Sequence, residues 1–362
     1  MRYALIGCGR ISPNHIAAAI KNKLEIVGIC DINSHNMEIL LEKFKINNSS
    51  IKQYSDYKKM IEIENPELVA IATESGLHSE IALYCIEHGI HCIIEKPIAM
   101  SMVDARKICE EADKYNVIVC ANHQNRFNKS IQKIHEAVEN NKFGKILHAA
   151  AHVRWNRGKA YYDQAKWRGT WANDGGCLMN QCIHNADLLR WLMGDEIEEV
   201  MAYTDNLNHD YLEAEDLGLA VIKFKNGSYG LFEGTVNVFP KNLEETLYIF
   251  GSTGTIKAGG KSVNLIEEWN FANDGEDAET VKQQNSEQPQ NVYGFGHNPL
   301  YTDVIKAIRT GTKPLVDAEA GTRALELILA IYQSAATRKP VKLPLGGDIS
   351  STDFMGRFRR KI

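Results

Sequence analysis

Gly7-Cys8-Gly9-Arg10-Ile11-Ser12 stands directly behind a short apolar run, Tyr3 to Ile6, at the start of the chain. A glycine at the first position permits a tight turn, and one at the second lets the backbone approach a pyrophosphate closely. The third position asks for a small residue where the following helix meets the strand. Ser12 occupies it and is placed to cap that helix, with Pro13 suited to its first turn. An anion held here would face the amide end of a helix. Asp31 follows 22 residues after Gly9, at the end of the second apolar run. A carboxylate there accepts hydrogen bonds from adenosine ribose hydroxyls and repels a 2′-phosphate. No Arg or Lys follows in Ile32-Asn33-Ser34. The expected cofactor is therefore NAD rather than NADP, bound around Gly7, Gly9, Arg10, Ile11 and Asp31.

A second group of polar residues lies on a predicted helix from Cys177 to Met193, behind Asp174-Gly175-Gly176. Asn180, His184 and Asp187 fall at i, i+4 and i+7 and share one face, which Trp191 extends. The remaining faces are largely apolar. Asn180 cannot serve as a base and can only orient a bound group. Ahead of this helix, the segment from Arg154 to Trp171 holds Arg154, Arg157, Lys159, Lys166 and Arg168 against one acid, Asp163. It also holds Trp155, Trp167, Trp171, Tyr161 and Tyr162. Guanidinium groups suit a diphosphate or carboxylate, and aromatic rings stack on a base or a sugar. Together they predict a nucleotide-linked, anionic ligand, with Arg154, Arg157 and Arg168 on its charges. The same composition would also serve an edge segment packed in an oligomer interface.

Two textures of sequence must position these groups. Up to residue 122, strand-like runs (Tyr3–Ile6, Glu25–Cys30, Leu68–Ala72, His91–Ile94, Val117–Ala121) alternate with amphipathic segments (Asn36–Phe44, Ser79–His88, Ser101–Tyr115). This βαβ rhythm predicts an α/β fold: a Rossmann-type, doubly wound parallel sheet over residues 1–122. From 123 to 362 a helix over 129–142 precedes β-rich stretches at Ile146–Trp155, Glu199–Thr204, Leu217–Phe224, Gly230–Val238 and Thr246–Phe250. Turn signals at Asn226-Gly227 and in the Gly-rich stretch Gly251 to Gly260 divide them. A second, α+β domain on a mostly antiparallel sheet is expected, serving substrate binding and oligomerisation. Polar Asn270 to Asn291 predicts a surface loop, and helices are expected near 300–310 and 318–336.

Composition removes several function classes. The 362 residues are 44% hydrophobic and 24% charged, with a formal net charge of −5. That charge gives no general attraction to nucleic acid or anionic membrane. No run reaches the roughly 18 apolar residues of a spanning helix. The start lacks a basic region and cleavage site, so a cytoplasmic protein is expected. The eight cysteines form no C-x-x-C pair and are expected to be reduced thiols; no metal is expected.

Glu95-Lys96-Pro97 follows the run His91 to Ile94. With the glycine turn, Asp31 and His184, it resembles the Gfo/Idh/MocA family of sugar oxidoreductases over nearly the whole chain. The resemblance implies that Lys96 stands beside the nicotinamide and the substrate hydroxyl, and that the Glu95 region lies against the nicotinamide ribose. It also places Thr73 and His78 in a loop lining the cofactor, with Glu74 where a proline is frequent. Oxidising an alcohol removes a hydride from carbon and a proton from oxygen, and a lysine beside a cationic ring has its pKa lowered, so that it can relay or accept that proton. The matching family helix carries an acid four residues before the histidine. Asn180 stands there instead, which shifts the base role to Lys96 with His184 as partner.

Three strings resemble a narrower group, the bacterial UDP-N-acetylglucosaminuronate 3-dehydrogenases. They are Asn125-Arg126-Phe127, Tyr161-Tyr162-Asp163 through Trp167-Arg168-Gly169-Thr170-Trp171, and Asn180-Gln181 through His184. That likeness implies a nucleotide-sugar (UDP-sugar) substrate oxidised at its 3-hydroxyl, on the way to the lipopolysaccharide or O-antigen of a bacterial surface. Arg126 and Asn180 would position the sugar or its carboxylate, and Tyr161, Trp167, Arg168 and His184 would line its site. A homo-oligomer, dimer or tetramer, through the second domain's sheet is also implied. A dehydrogenase of a free polyol or inositol, or a non-catalytic NAD-binding sensor, remain as alternatives.

Overall fold

Strands whose residues are apolar at every position must be covered on both faces, and the centre of the first sheet is built that way. The computed structural model describes residues 1–45, 51–194, 196–272, 275–289 and 291–358. The chain divides into two units, residues 1–123 with 297–322, and residues 124–296 with 323–362. The first unit contains β1 (Arg2–Ile6), α1 (Ser12–Lys21), β2 (Glu25–Cys30), α2 (Ser34–Lys43), β3 (Lys52–Tyr54), α3 (Tyr57–Glu64), β4 (Leu68–Ile71), α4 (His78–Glu87), β5 (His91–Ile94), α5 (Met102–Lys114) and β6 (Val119–Ala121). The six strands are all parallel, in the order β3-β2-β1-β4-β5-β6. Tyr3, Ala4 and Leu5 of β1 and all of β4 are buried. The order reverses at β1/β4, where the chain leaves β1 through the glycine turn and returns to β4. Ligands of open α/β sheets bind outside the strand ends at such a reversal.

The second unit contains α6 (Lys129–Glu139), β7 (Ile146–Arg154), α7 (Lys159–Tyr162), α8 (Ile183–Leu192), β8 (Ile197–Asp205), β9 (Leu217–Phe224), β10 (Tyr229–Thr235), β11 (Glu244–Gly251), β12 (Gly254–Gly259), β13 (Leu265–Phe271) and α9 (Ala278–Gln284). It is completed by α11 (Ala318–Thr337), which begins in the first unit, and β14 (Val341–Lys342); α10 (His297–Thr310) belongs wholly to the first unit. Its eight strands run β13-β12-β11-β7-β10-β9-β8-β14, antiparallel except for the β7–β10 pair. One face carries the segment around Leu178 and α8. A Cβ on Gly234 would lie 2.6 Å from the Leu178 side chain and 2.7 Å from Cys182 Sγ, so glycine lets that segment sit close against β10. The other face is open. Leu219, Val221, Tyr229 and Leu231 are exposed there, with Leu231 opposite Val221 and Leu219 opposite Tyr203. Among the described residues no helix is long and apolar enough to cross a membrane. The cysteines are unbridged, and all but Cys109 are buried.

Four expectations need correction. The boundary after residue 122 put α10 in the second domain, whereas residues 297–322 pack with the first unit. The buried face of α10, Leu300, Tyr301, Val304 and Ile305, meets α1, a pairing across the whole sequence that local periodicity does not encode. The stretch 270–291 is not all loop. It holds the end of β13 and the helix α9, whose cap is Asp277 accepting from Thr280 N–H at 2.8 Å. A good cap and helix-forming residues outweigh polarity here; residues 273, 274 and 290 lie outside the described residues. The Gly-rich divider contains a full strand, β12. Finally, Trp171 is no ligand platform. It is fully buried, edge-on to Tyr332 with ring centres 5.2 Å apart, and its indole N–H donates to Glu213 O at 3.0 Å.

Trp171→Ala is therefore expected to cost about 3–5 kcal/mol of stability, as for other buried tryptophans. A thermal melt reads it, and an unchanged midpoint would remove Trp171 from the core.

Candidate functional site

The glycine turn is forced by contact. Gly7 has φ +92°, and a Cβ there would lie 2.5 Å from the backbone carbonyl of Ala72. Gly9 is the opposite case, since a Cβ on it meets nothing within 4 Å. Open space therefore faces the second glycine, as a close-approaching pyrophosphate requires. No side chain caps α1, whose N-cap is Ile11; Pro13 has no amide hydrogen, and Ser12 N–H and Asn14 N–H donate to Gly9 O at 3.2 Å and Ile11 O at 2.9 Å. The expected cap by Ser12 does not form. Ser12 lies inside the helix, and its hydroxyl donates to Gly9 O at 2.6 Å, bracing the turn instead. Asp31 is fixed across this turn: Oδ2 accepts from Cys8 N–H at 2.8 Å, and Oδ1 from Asn33 N–H at 2.8 Å and Asn36 Nδ2 at 3.2 Å. Arg10 is exposed and Ile11 half-buried at the same mouth. The cradle and the fixed acid fit a dinucleotide with an unphosphorylated ribose.

Beyond β5 the chain turns through Glu95, Lys96 and Pro97. Lys96 is half-buried, and its backbone N–H donates to Glu95 Oε2 at 3.3 Å. Glu95 is buried and bonded through Oε1 to His15 Nε2 at 3.0 Å and to Asn122 Nδ2. Burial alone would push its carboxyl up. The hydrogen bond from His15 and the nearby imidazole of His297, with Nε2 3.8 Å from Oε1, outweigh that and hold it well below the usual range, so it is ionised. His78 is buried and ties two loops together, with Nδ1 2.7 Å from Pro97 O and Nε2 3.2 Å from Thr73 O. Burial pushes its imidazole down, against the pull of those carbonyls. His78 thus holds the Thr73 loop to the Lys96 turn, while half-buried Thr73 itself is nearer the surface. His15 and His297 escaped the sequence reading, because a lone histidine on a helix carries no spacing signal. Their ligand atoms and that of Glu95 lie within 4.8 Å of one another, a spacing that a cation could also use.

In the second unit the predicted helix starts as a π turn over Leu178–Cys182 before α8. Such a turn inserts an extra residue, and it splits the expected stripe. Asn180 turns to Asp174, donating Nδ2–H to Oδ1, while its own Oδ1 accepts from Gln181 Nε2 at 2.9 Å. Gln181, which the sequence reading named only within a string and gave no role, is the hub: Nε2 also donates to Tyr161 OH at 2.9 Å, and Oε1 accepts from Arg157 Nε at 3.0 Å. Arg168 donates to Tyr161 OH at 2.5 Å and lies over the rings of Tyr161, at 4.4 Å, and Trp167, at 4.6 Å. Arg157, Tyr161, Trp167, Arg168, Asn180 and Gln181 therefore form one array. His184 follows at the first turn of α8, half-buried. Glu215 supports the start of this segment, accepting from Cys177 and Leu178 N–H at 2.9 Å each and from Tyr332 OH at 2.5 Å. Burial pushes its carboxyl up to about 7 against those bonds.

Two predicted site residues do not join the array. Arg126 is buried, with Nε 2.8 Å from Asp187 Oδ2 and Nη2 2.6 Å from Oδ1, and its guanidinium lies 4.7 Å from the centre of Trp191. This pair fastens the turn Gln124–Phe127 to α8, and it takes Asp187 and Trp191 out of the stripe as well. Arg154 lies on the open face of the sheet, because Ala149, Ala151 and Val153 of β7 occupy the inner one. There it binds Glu233 at 2.5 Å and Glu244 at 2.5 Å.

Comparison with known proteins accords with this geometry. The profile of the oxidoreductase family's NAD-binding Rossmann fold matches residues 1–123, and that of its C-terminal alpha/beta domain matches residues 135–343. The myo-inositol 2-dehydrogenase of Thermotoga maritima is 27% identical over 354 residues, 95% of this chain and 98% of that protein. The WlbA dehydrogenase of Bordetella pertussis, solved in complex with NADH and UDP-GlcNAcA, is 35% identical with a TM-score of 0.86, covering 96% of this chain and 98% of that one. The WlbA dehydrogenase of Chromobacterium violaceum, in complex with the same two molecules, is 35% identical with a TM-score of 0.87, covering 96% and 97%.

The two glycines separate fold from ligand. Gly7→Ala is expected to destabilise the chain by at least about 1–3 kcal/mol, from strained backbone and the clash with Ala72. Gly9→Ala should leave the melting point nearly unchanged and weaken NAD binding. Titration calorimetry with NAD reads the second effect, and unaltered affinity would move the pyrophosphate away from Gly9.

Proposed function

The chain belongs to the Gfo/Idh/MocA oxidoreductase family and is an NAD-dependent oxidoreductase, and on that premise we propose that it oxidises the 3-hydroxyl of UDP-N-acetylglucosaminuronate. The observation that carries this reading is the array of Arg157, Arg168, Tyr161 and Trp167 around Gln181 and Asn180. Two guanidinium groups resting on aromatic rings suit a carboxylate or diphosphate beside a base or sugar. The two WlbA dehydrogenases, solved with UDP-GlcNAcA, support the same substrate class.

In this mechanism Gly7, Gly9, Arg10, Ile11 and Asp31 would hold NAD, which supplies the two-electron oxidant when bound. Lys96 Nζ takes the proton of the substrate hydroxyl, and His184 passes it on. Asn180 does not titrate; fixed by Asp174 and Gln181, it offers a hydrogen bond of constant polarity that orients the sugar. Arg157 and Arg168 meet the anionic groups. The 3-keto product suits a later amination in bacterial surface polysaccharide assembly. Copies of the chain associate through the open sheet face, where Leu219, Val221, Tyr229 and Leu231 leave apolar area uncovered. A second reading, a dehydrogenase of a free polyol, rests on the Thermotoga maritima relative; Asn180 in place of an acid and the cationic array weigh against it.

Absorbance at the NADH band tests the substrate. Protein with NAD+ is expected to form NADH with UDP-N-acetylglucosaminuronate but not with UDP-N-acetylglucosamine or myo-inositol; a signal with inositol alone would overturn the nucleotide-sugar assignment. Lys96→Met should lower turnover by about 10²–10⁴-fold, the usual weight of a general base, while NAD affinity holds. Full activity would remove Lys96 from the chemistry. Light scattering should give a multiple of the chain mass, and Val221→Lys with Leu231→Glu should drive it to the monomer; an unchanged mass would place the interface elsewhere.

A further inference from the structure

The turn that carries Lys96 is braced by side chains from three distant stretches of the first unit. His15 comes from α1, Asn122 from the residue after β6, and His297 and Tyr301 from α10. All four are buried, Asn122 completely. Their donors and acceptors run in one consistent direction. Glu95 is an ionised acceptor, so His15 Nε2, 3.0 Å from Glu95 Oε1, carries a proton. In a neutral ring His15 Nδ1 is then an acceptor, and it faces Tyr301 OH at 2.7 Å. Tyr301 spends its proton on that bond, and its oxygen accepts from Tyr3 OH at 3.0 Å. The reverse tautomer would aim the Nε2 lone pair at a carboxylate.

The other side of Glu95 obeys the same accounting. Asn122 Nδ2 has two protons; one goes to Glu95 Oε1 and the other faces His297 Nε2 at 3.2 Å. His297 therefore accepts, as a neutral ring, and burial pushes its pKa down accordingly. Its ring stands edge-on to that of His15, with centres 5.5 Å apart. Glu95 Oε1 is thus fully occupied, which fixes the carboxylate plane. Oε2 is left aimed at Lys96 N–H.

We propose that His15, Asn122 and His297 are positioning residues for the reaction: by fixing the Glu95 carboxylate they fix the Lys96 peptide, and with it the direction in which the lysine side chain leaves the turn. This rests on the reading of Lys96 as the proton acceptor. Burying an ionised carboxylate costs stability that an apolar residue would not. Here the charge is held one residue from Lys96 and bonded to that residue's own backbone. The groups that face Glu95 are His15 from α1, His78 from α4, Asn122 after β6, His297 from α10 and Lys96 itself; Tyr301 acts through His15.

The experiment compares His15→Leu, which removes the donor, with His15→Gln, which returns one, in the full chain. His15→Leu is expected to lower kcat by roughly tenfold or more, the size of effect a small misplacement produces, with KM and NAD affinity nearly unchanged. His15→Gln should recover most of that loss. A second readout needs no substrate: the Lys96 amide resonance of ¹⁵N-lysine-labelled protein, identified by its disappearance in Lys96→Arg. It should stay constant from mildly acid to mildly alkaline pH in the native chain, and should move and titrate in His15→Leu. If His15→Leu does not fold, His297→Gln should give a smaller shift in the same direction. Equal kcat losses in the Leu and Gln variants, or an unmoved Lys96 amide, would overturn the positioning role. A stoichiometric divalent cation in the native protein, released by His15→Leu, would overturn the hydrogen-bond account. Should the native chain turn over none of the sugars, the proposed function falls on that result alone, while the amide resonance still decides whether His15 governs Lys96.

Discussion

A carboxylate buried with its charge intact constrains much of the first unit. Glu95 is almost cut off from solvent, so donors must come to it, and apart from the amide of Lys96 they are distant in sequence. The requirement joins α1, the end of β6 and α10 at one point. It also gives a reason for the chain to return: residues 297–322 leave the second unit and pack with the first, carrying His297 and Tyr301. The glycine turn has a similar economy. Gly7 passes so close to Ala72 that β1 and β4 are held in fixed relation, and the space that remains lies over Gly9.

The parallel sheet was legible because fully buried strands are continuous apolar runs, and helices between them show one apolar face. What escaped was short or polar, such as β3 and α3. The allegiance of α10 escaped because periodicity reports that a helix has an apolar face and says nothing of which partner covers it. Charge counting had the same weakness. The stretch from Arg154 to Arg168 is basic as a composition, yet Arg154 is neutralised across strands by Glu233 and Glu244 on the open sheet face. Arg126 read as a ligand group because it sits in a recognisable string, and it is instead spent on Asp187. Asn180, Arg157, Tyr161, Trp167 and Arg168 do come together, through Gln181, whose neutral side chain gave no chemical signal.

Fold and substrate rest on different kinds of evidence. The chain is similar along nearly its whole length both to a myo-inositol 2-dehydrogenase and to the WlbA dehydrogenases, so the fold alone does not choose between substrates. The choice lies in side chains. Asn180 does not titrate where an acid would, and it gives its helix a fixed dipole. The neighbouring guanidinium groups, held over rings, then set the local charge.

The π turn over Leu178–Cys182 has a consequence of its own. A backbone that closes on i+5 carries one residue more than an α-helix of the same rise. Each residue of helix is worth about 100° of rotation. The azimuth of His184 relative to Asn180 is therefore encoded in chain length as much as in side-chain identity. Gaining or losing a single residue in this turn would re-aim His184 with every other side chain preserved.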